Sequence, residues 1–331
     1  MTLGNMRALG DAIVPSGKEV DRHDNVILVR LFSAKGKTAH LVNKGPNLKT
    51  IFAGLGLVLL PFATAWGWGQ EGHSIIAEIG QRRLTPAAVA EVARLLGDNH
   101  SLASVASWAD DERDIRPETA NWHFVDIPIN SNSFDPATDC APSDAGDCVI
   151  AELERLKSDL RCAANHDLKK DALRFAVHLI GDIHQPLHTV FDQKGANGIS
   201  VEVKMRGALT CREGPCPITS AHTNFHAAWD TNLITKTTWD WGAYVDRLEE
   251  GWLKTSEAQG DADGGSLIDW ATQTHTAAQI VWNQLPDDHV LDDNYYQSIQ
   301  PILDKQLSLA GIRLARFLND AYVSNRCPRT Q

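Results

Sequence analysis

The sequence predicts an all-α protein: a single, mostly helical domain with one short β-like excursion. Three observations carry that expectation. Apolar residues recur at helical spacing through most of the chain after residue 68. Helix starts and stops are punctuated by capping residues, such as Thr85-Pro86 and Gly97. Departures from the helical pattern are few: a β-like run at 199–205 and an alternating, extended stretch at 122–126. No internal repeat or low-complexity tract divides the chain.

In order, residues 74–84 place Ile75, Ile76 and Ile79 on one helical face. A second helix opens at Thr85-Pro86, runs through Val89, Val92, Leu95 and Leu96, and stops at Gly97. Residues 101–111 form a third, ending with Ser107, Trp108 and Asp110. Residues 131–147, rich in Ser, Asp and Pro, are a loop that holds Cys140, with Cys148 just beyond. Helices resume at 149–162 and at 168 to about 183. Pro186 cannot donate a backbone hydrogen bond, so the chain should leave the helix near Gln185. Gly, Asn and Pro punctuate 189–217, and residues 223–230 return to helix. Three further amphipathic helices cover 239–253, 267–284 and 295–322.

The beginning of the chain reads differently. Lys44 and Lys49 precede an apolar run at 51–65, followed by small residues. That is the pattern of a signal peptide, placed at 44–67. The run is too short and too broken by Gly and Pro to span a membrane. Cleavage after Ala65 or after Gly67 fits the small-residue rule. Residues 1–43 are a doubtful upstream segment, either a start-site artefact or an unusually long basic region. The domain proper is then 68–331, periplasmic or secreted, a monomer with no stable membrane association after cleavage. Six Cys suit disulfides in that setting. Cys211 and Cys216 flank a tight turn and form one plausible pair. The remaining pairing is open, Cys162 with Cys327 being one choice.

The 331 residues carry a net charge of −11. That excludes a protein that coats nucleic acid through a basic surface. It leaves room for an enzyme that grips phosphate through bound cations, which dominate their local field. Ten Trp supply packing anchors and flat surfaces that could accept rings.

The chemistry centres on residues 174–188, RFAVHLIGDIHQPLH. His178 and Asp182 are four apart and share a helix face, and His188 stands just past the helix end. His226 and Asp230 repeat the spacing. Imidazoles and carboxylates aimed at one point suit zinc. With His73, Asp110 and His123 the set exceeds what one ion needs, which suggests two or three. His184 points away from this face, which suits a supporting or surface role. His100, His166, His222, His275 and His289 read as solvated or structural.

Five segments in order, WGQEGH at 68–73, LASVASWAD at 102–110, HFVD at 123–126, residues 174–188 and NFHAAWD at 224–230, resemble the zinc-dependent S1/P1 nuclease family, a relative of bacterial zinc phospholipase C. The resemblance implies a helical fold and three zinc ions in a cleft. It implies one ion on Asp110, His123, His178 and Asp182. A second would sit on His73, Asp182 and the free amine and carbonyl of Trp68, with Asp182 bridging. A third would sit on His188, His226 and Asp230. It therefore implies cleavage after Gly67. Asp110 and Arg113 are the catalytic candidates, Arg113 as a phosphate clamp or an exposed Arg that touches nothing. Phe124 is a base-stacking ring or a core aromatic. Asp126 and Asn197 match base-contacting positions, and Asn197 is equally a turn residue.

The implied activity is endonucleolytic hydrolysis of single-stranded DNA and RNA to 5′-phosphorylated products by metal-activated hydroxide, with 3′-nucleotidase activity on nucleotides. Two rivals stand beside it: a phospholipase C-type phosphodiesterase and a non-catalytic zinc-binding protein. The short spacing from Trp68 to His73 and an Asp at 230 favour the nuclease. The loop at 207–217 has no clear family counterpart.

Overall fold

The computed structural model describes residues 67–98, 100–206, 210–211, 214–215, 218–237, 240–262, 264–323 and 327. The expected leader before Gly67 lies outside them, as does Cys216 of the expected Cys211–Cys216 pair. The described chain is mostly helical, with a small three-stranded sheet. None of its helices is long and apolar enough to cross a membrane.

Helix α1 (Gln70–Gln81) buries Ile75, Ile76 and Ile79, and α2 (Pro86–Leu96) follows. The Thr85 side chain accepts from Ala88 N–H, and Gly97 ends α2 at φ 92°, where a glycine is unstrained. The helix expected over 101–111 is instead a 3-10 turn, Leu102–Val105, and a short α3 (Trp108–Arg113). Ser101 and Ser104 bond to each other's backbone and start the stretch as a 3-10 turn. The extended stretch begins later than expected. Pro117–His123 is 3-10, and only from Phe124 is the backbone extended.

Helices α4 (Val149–Cys162) and α5 (His166–Asp182) pack together and lie within two residues of expectation. A 3-10 turn, Pro186–Thr189, carries the chain away, with the Gln185 side chain accepting from Leu187 N–H. Strand β1 (Ser200–Met205) lies between antiparallel β4 (Thr219–Asn224) and parallel β5 (Val290–Asp292). The sequence reading missed both partners. A two-residue ladder pairs β2 (Thr210–Cys211) with β3 (Gly214–Pro215).

The return helix starts at Phe225, because Thr223 and Asn224 belong to β4. It runs as α6 (Phe225–Ala227), a π-helical turn (Ala228–Asn232) and α7 (Leu233–Thr235). Then come α8 (Trp241–Glu250), a short α9 (Ser256–Ala262), α10 (Leu267–Asn283) and the long α11 (Asp293–Val323).

Helix α11 packs along α1, α4 and α5. Small residues let α1 and α11 approach closely. A Cβ on Gly311 would collide with Ile79, and one on Gly80 would lie 3.0 Å from Leu314 Cδ2. Trp68, Trp229, Tyr244, Phe175 and Phe225 are wholly buried. Each such side chain contributes roughly 1.5–3 kcal/mol of transfer free energy. The result is a rigid backing for α1 and α5, which carry the polar residues described next.

Candidate metal centre

Buried polar residues cluster at one end of α5. His73, His123, His178, Asp182 and His188 are at most 3% exposed, and Asp110, His226 and Asp230 at most 4%. Burying that many ionisable groups is costly unless they share a partner.

Backbone carbonyls fix three of the rings. His178 Nδ1 donates to Ala106 O at 2.7 Å, His188 Nδ1 to His123 O at 2.7 Å, and His226 Nδ1 to Gly195 O. A ring held this way presents its Nε2 lone pair to the other side. Among the described residues, Nε2 of all three lacks a hydrogen-bond partner, as do both ring nitrogens of His73, His123 Nε2, Asp110 Oδ1 and Asp182 Oδ1.

Donor atoms fall into three groups, each within 4.8 Å: His73, His178 and Asp182; Asp110, His123 and His178; His188, His226 and Asp230. His178 Nε2 stands 3.1 Å from Asp182 Oδ2 and 3.4 Å from Asp110 Oδ1. His123 Nδ1 is 2.9 Å from Asp182 Oδ2, and His73 Nε2 is 3.4 Å from Asp182 Oδ1. Asp182 thus joins the first two groups. His226 Nε2 is 3.4 Å from Asp230 Oδ2. The His73 and His178 rings stack at 3.8 Å. Lone pairs converging on one point repel unless a cation lies between them. Nitrogen and carboxylate donors in buried triads fit zinc or a similar divalent ion.

The electrostatics agree. Burial alone would depress His178, but Asp182 and Asp110 overcome it and hold its pKa well above the ordinary value. Burial would raise Asp182, yet His178, His123 and His73 hold it well below. This site stabilises positive charge. Burial lowers His123 to about 4 and His226 to about 3, so both are neutral, as ligands must be. Burial pushes Asp230 well above the carboxylate range.

Family models and relatives bear on the same residues. The model described as S1/P1 Nuclease matches residues 68–323. The chain belongs to the S1/P1 nuclease family. It is similar to Nuclease P1 of Penicillium citrinum, 30% identical over 78% of this chain and 98% of that one. Nuclease S1 of Aspergillus oryzae is 29% identical over 79% and 96%. Endonuclease 2 of Arabidopsis thaliana is 29% identical over 76% and 90%. This S1/P1 nuclease chain is therefore an enzyme, a phosphodiesterase of a metal-dependent family.

Arg113 ends α3, and its charge is felt at His123, His188, His226 and Asp230. Phe124 and Asp126 are half-buried on the extended segment after His123. Burial and Asp139 raise Asp126 to about 6. Asn197 donates from Nδ2 to Lys194 O at 2.8 Å, within a left-handed run from Gln193 to Ala196. Its buried Oδ1 has no partner, so turn geometry explains one end of the amide only. Trp68 is wholly buried and donates from Nε1 to Gly181 O at 3.0 Å.

Three residues support the groups: Gln185 escaped the sequence reading, whereas His184 and His275 take roles within those expected of them. Gln185 is wholly buried and donates from Nε2 to Asp230 Oδ1. Its signal was available: a Gln between Asp182 and His188 and just before Pro186. His184 is buried, donates to Ile180 O and accepts from Arg313, a supporting role. His275, read as solvated or structural, is 2% exposed and donates to Thr189 O at 2.7 Å, beside His188.

Proposed function

We propose that the protein is a secreted or periplasmic zinc nuclease that cleaves single-stranded DNA and RNA to 5′-phosphorylated products and removes 3′-phosphates from nucleotides. The observation that carries this reading is the set of three buried donor groups with unpartnered lone pairs, two of them joined by Asp182. Two adjacent groups and a third nearby suit a phosphodiester, whose attacking and leaving oxygens need charge at separate points.

Asp110, His123, His178 and Asp182 would hold one ion; Trp68, His73 and Asp182 a second; His188, His226 and Asp230 a third. Zinc in these positions supplies Lewis acidity, which makes water nucleophilic near neutral pH and offsets charge on the phosphate. Around it, carbonyls of Ala106, His123 and Gly195 orient the rings. Arg113 would bind a non-bridging phosphate oxygen. Phe124 would stack a base, and Asp126 and Asn197 would read its edge. An unstacked strand offers that base face, whereas a duplex must first be opened.

Maturation belongs to the same reading. A Cβ built on Gly67 would overlap Asp182 Oδ1 and lie 2.9 Å from His73 Nε2. The backbone at 67–68 therefore lies against the first donor group. A peptide nitrogen has no lone pair to give, whereas an amine has one. Cleavage after Gly67 would leave the Trp68 amine beside His73 and Asp182. The test is N-terminal sequencing and zinc content of active protein exported from cells. A Trp68 start with three zinc ions supports the reading. An active protein that begins elsewhere, or that holds one ion, overturns it.

A further inference from the structure

Cys162 and Cys327 are both free thiols, far apart in sequence, and Cys327 reaches the backbone of Arg161, the residue before Cys162. Each is close enough to the other to set its electrostatics, Cys327 being the first influence on the Cys162 thiol. Cys327 Sγ lies 3.9 Å from Arg161 O. The junction around them is already docked. Arg161 Nη2 donates to Asp320 O at 3.0 Å, and Lys157 Nζ stands 5.6 Å over the Phe317 ring. The end of α4 and the end of α11 are therefore held together before any covalent link forms. Cys140 and Cys148 are bonded in the same chain, which fits an oxidising compartment.

We propose that Cys162 and Cys327 form a second, long-range disulfide that staples the segment after α11 to the end of α4. The chemistry balances by thiol–disulfide exchange with an external protein or small-molecule disulfide. The Cys162 thiolate attacks that disulfide, forming a mixed disulfide and releasing one thiolate. The Cys327 thiolate then attacks Cys162 Sγ, forms the internal bond and expels the second thiolate. Two electrons pass to the external disulfide, and the two cysteine protons end on the released thiols.

The staple closes about half of the chain into one loop. It ties α11, which packs on α1, to α4, which packs on α5. His73 and the His178–Asp182 pair lie on α1 and α5. The link would therefore brace both helices from behind without touching the metal groups. Its effect belongs to thermal endurance, with activity at moderate temperature unchanged.

The test is a peptide map of the full chain, exported to an oxidising compartment and purified with N-ethylmaleimide and no reductant. A Cys162–Cys327 linked peptide, with neither thiol labelled, is expected. Label on both thiols, or a link from either to Cys211 or Cys216, overturns the proposal. In parallel, the double variant Cys162→Ser/Cys327→Ser should melt about 5–15 °C below the oxidised protein, given the loop size. It should cleave single-stranded DNA at the same initial rate at 25 °C. An unchanged melting temperature would also count against the staple.

Discussion

Three imidazoles in the candidate centre, His178, His188 and His226, take their tautomer from a backbone carbonyl, which makes single residues testable. Gln185 holds the Asp230 carboxylate from one side while its carbonyl oxygen caps the turn that carries His188. Gln185→Ala is expected to weaken metal binding at the His188–His226–Asp230 group by about 10–100-fold, measured by competition with a chelating indicator. Asp182→Asn removes the charge shared by two groups. The nuclease rate should fall by more than about 100-fold and bound zinc should drop, read by elemental analysis. Asp126 gives a pH test. Its folded pKa of about 6 lies above the ordinary value of 3.8. A raised carboxyl contributes stability that is present below about pH 4 and is lost as pH rises through about 6. Discounted for partial exposure, Asp126→Asn should gain about 1–2 kcal/mol over wild type between pH 4 and 7, measured by urea melts. His178, Asp182, His188, His226 and Asp230 stood out in the sequence because i,i+4 pairs and a Pro-terminated helix are local signals, whereas His73, Asp110 and His123 had no such spacing. The partners of Gln185, His184 and His275, namely Asp230, Arg313 and Thr189, lie far along the chain, so spacing alone could not name them.

Helices with both a cap and an apolar stripe were legible; elements made by tertiary pairing were not. Thr85 caps α2 and α4 is strongly amphipathic, so both were placed within a residue or two. Strand β4, TSAHTN, has no apolar alternation and exists because β1 pairs with it through the full register from Ser200↔Asn224 to Met205↔Thr219. Strand β5 is three residues added in parallel from far along the chain. The π turn at Ala228–Asn232 is likewise invisible to periodicity, yet it carries Asp230. Such a turn is common at functional positions. At this scale Thr85→Ala should cost about 1 kcal/mol of stability. Gly311→Ala forces a methyl into Ile79 and should cost about 1–3 kcal/mol, together with a loss of metal affinity because α1 carries His73. Thermal melts with and without zinc check both.

For the molecule as a whole, charge and metal work in opposite directions. A net charge of −11 repels a polyanion at long range, while buried cations would attract it at contact. Cleavage of long single strands should therefore lose little kcat/KM as salt rises from 50 to 200 mM, far less than the roughly 10³-fold or greater loss in affinity typical of a basic nucleic-acid surface. Chelation should lower the melting temperature, since buried donors lose the partner that offsets their desolvation. The most direct measurement is release of acid-soluble nucleotides from single-stranded DNA by protein beginning at Trp68: as purified, after chelation, and after zinc is restored. Release that disappears with chelator and returns with zinc is the expected result. Release that survives complete metal removal, or no release from zinc-loaded protein, would contradict the assignment of a metal-driven nuclease.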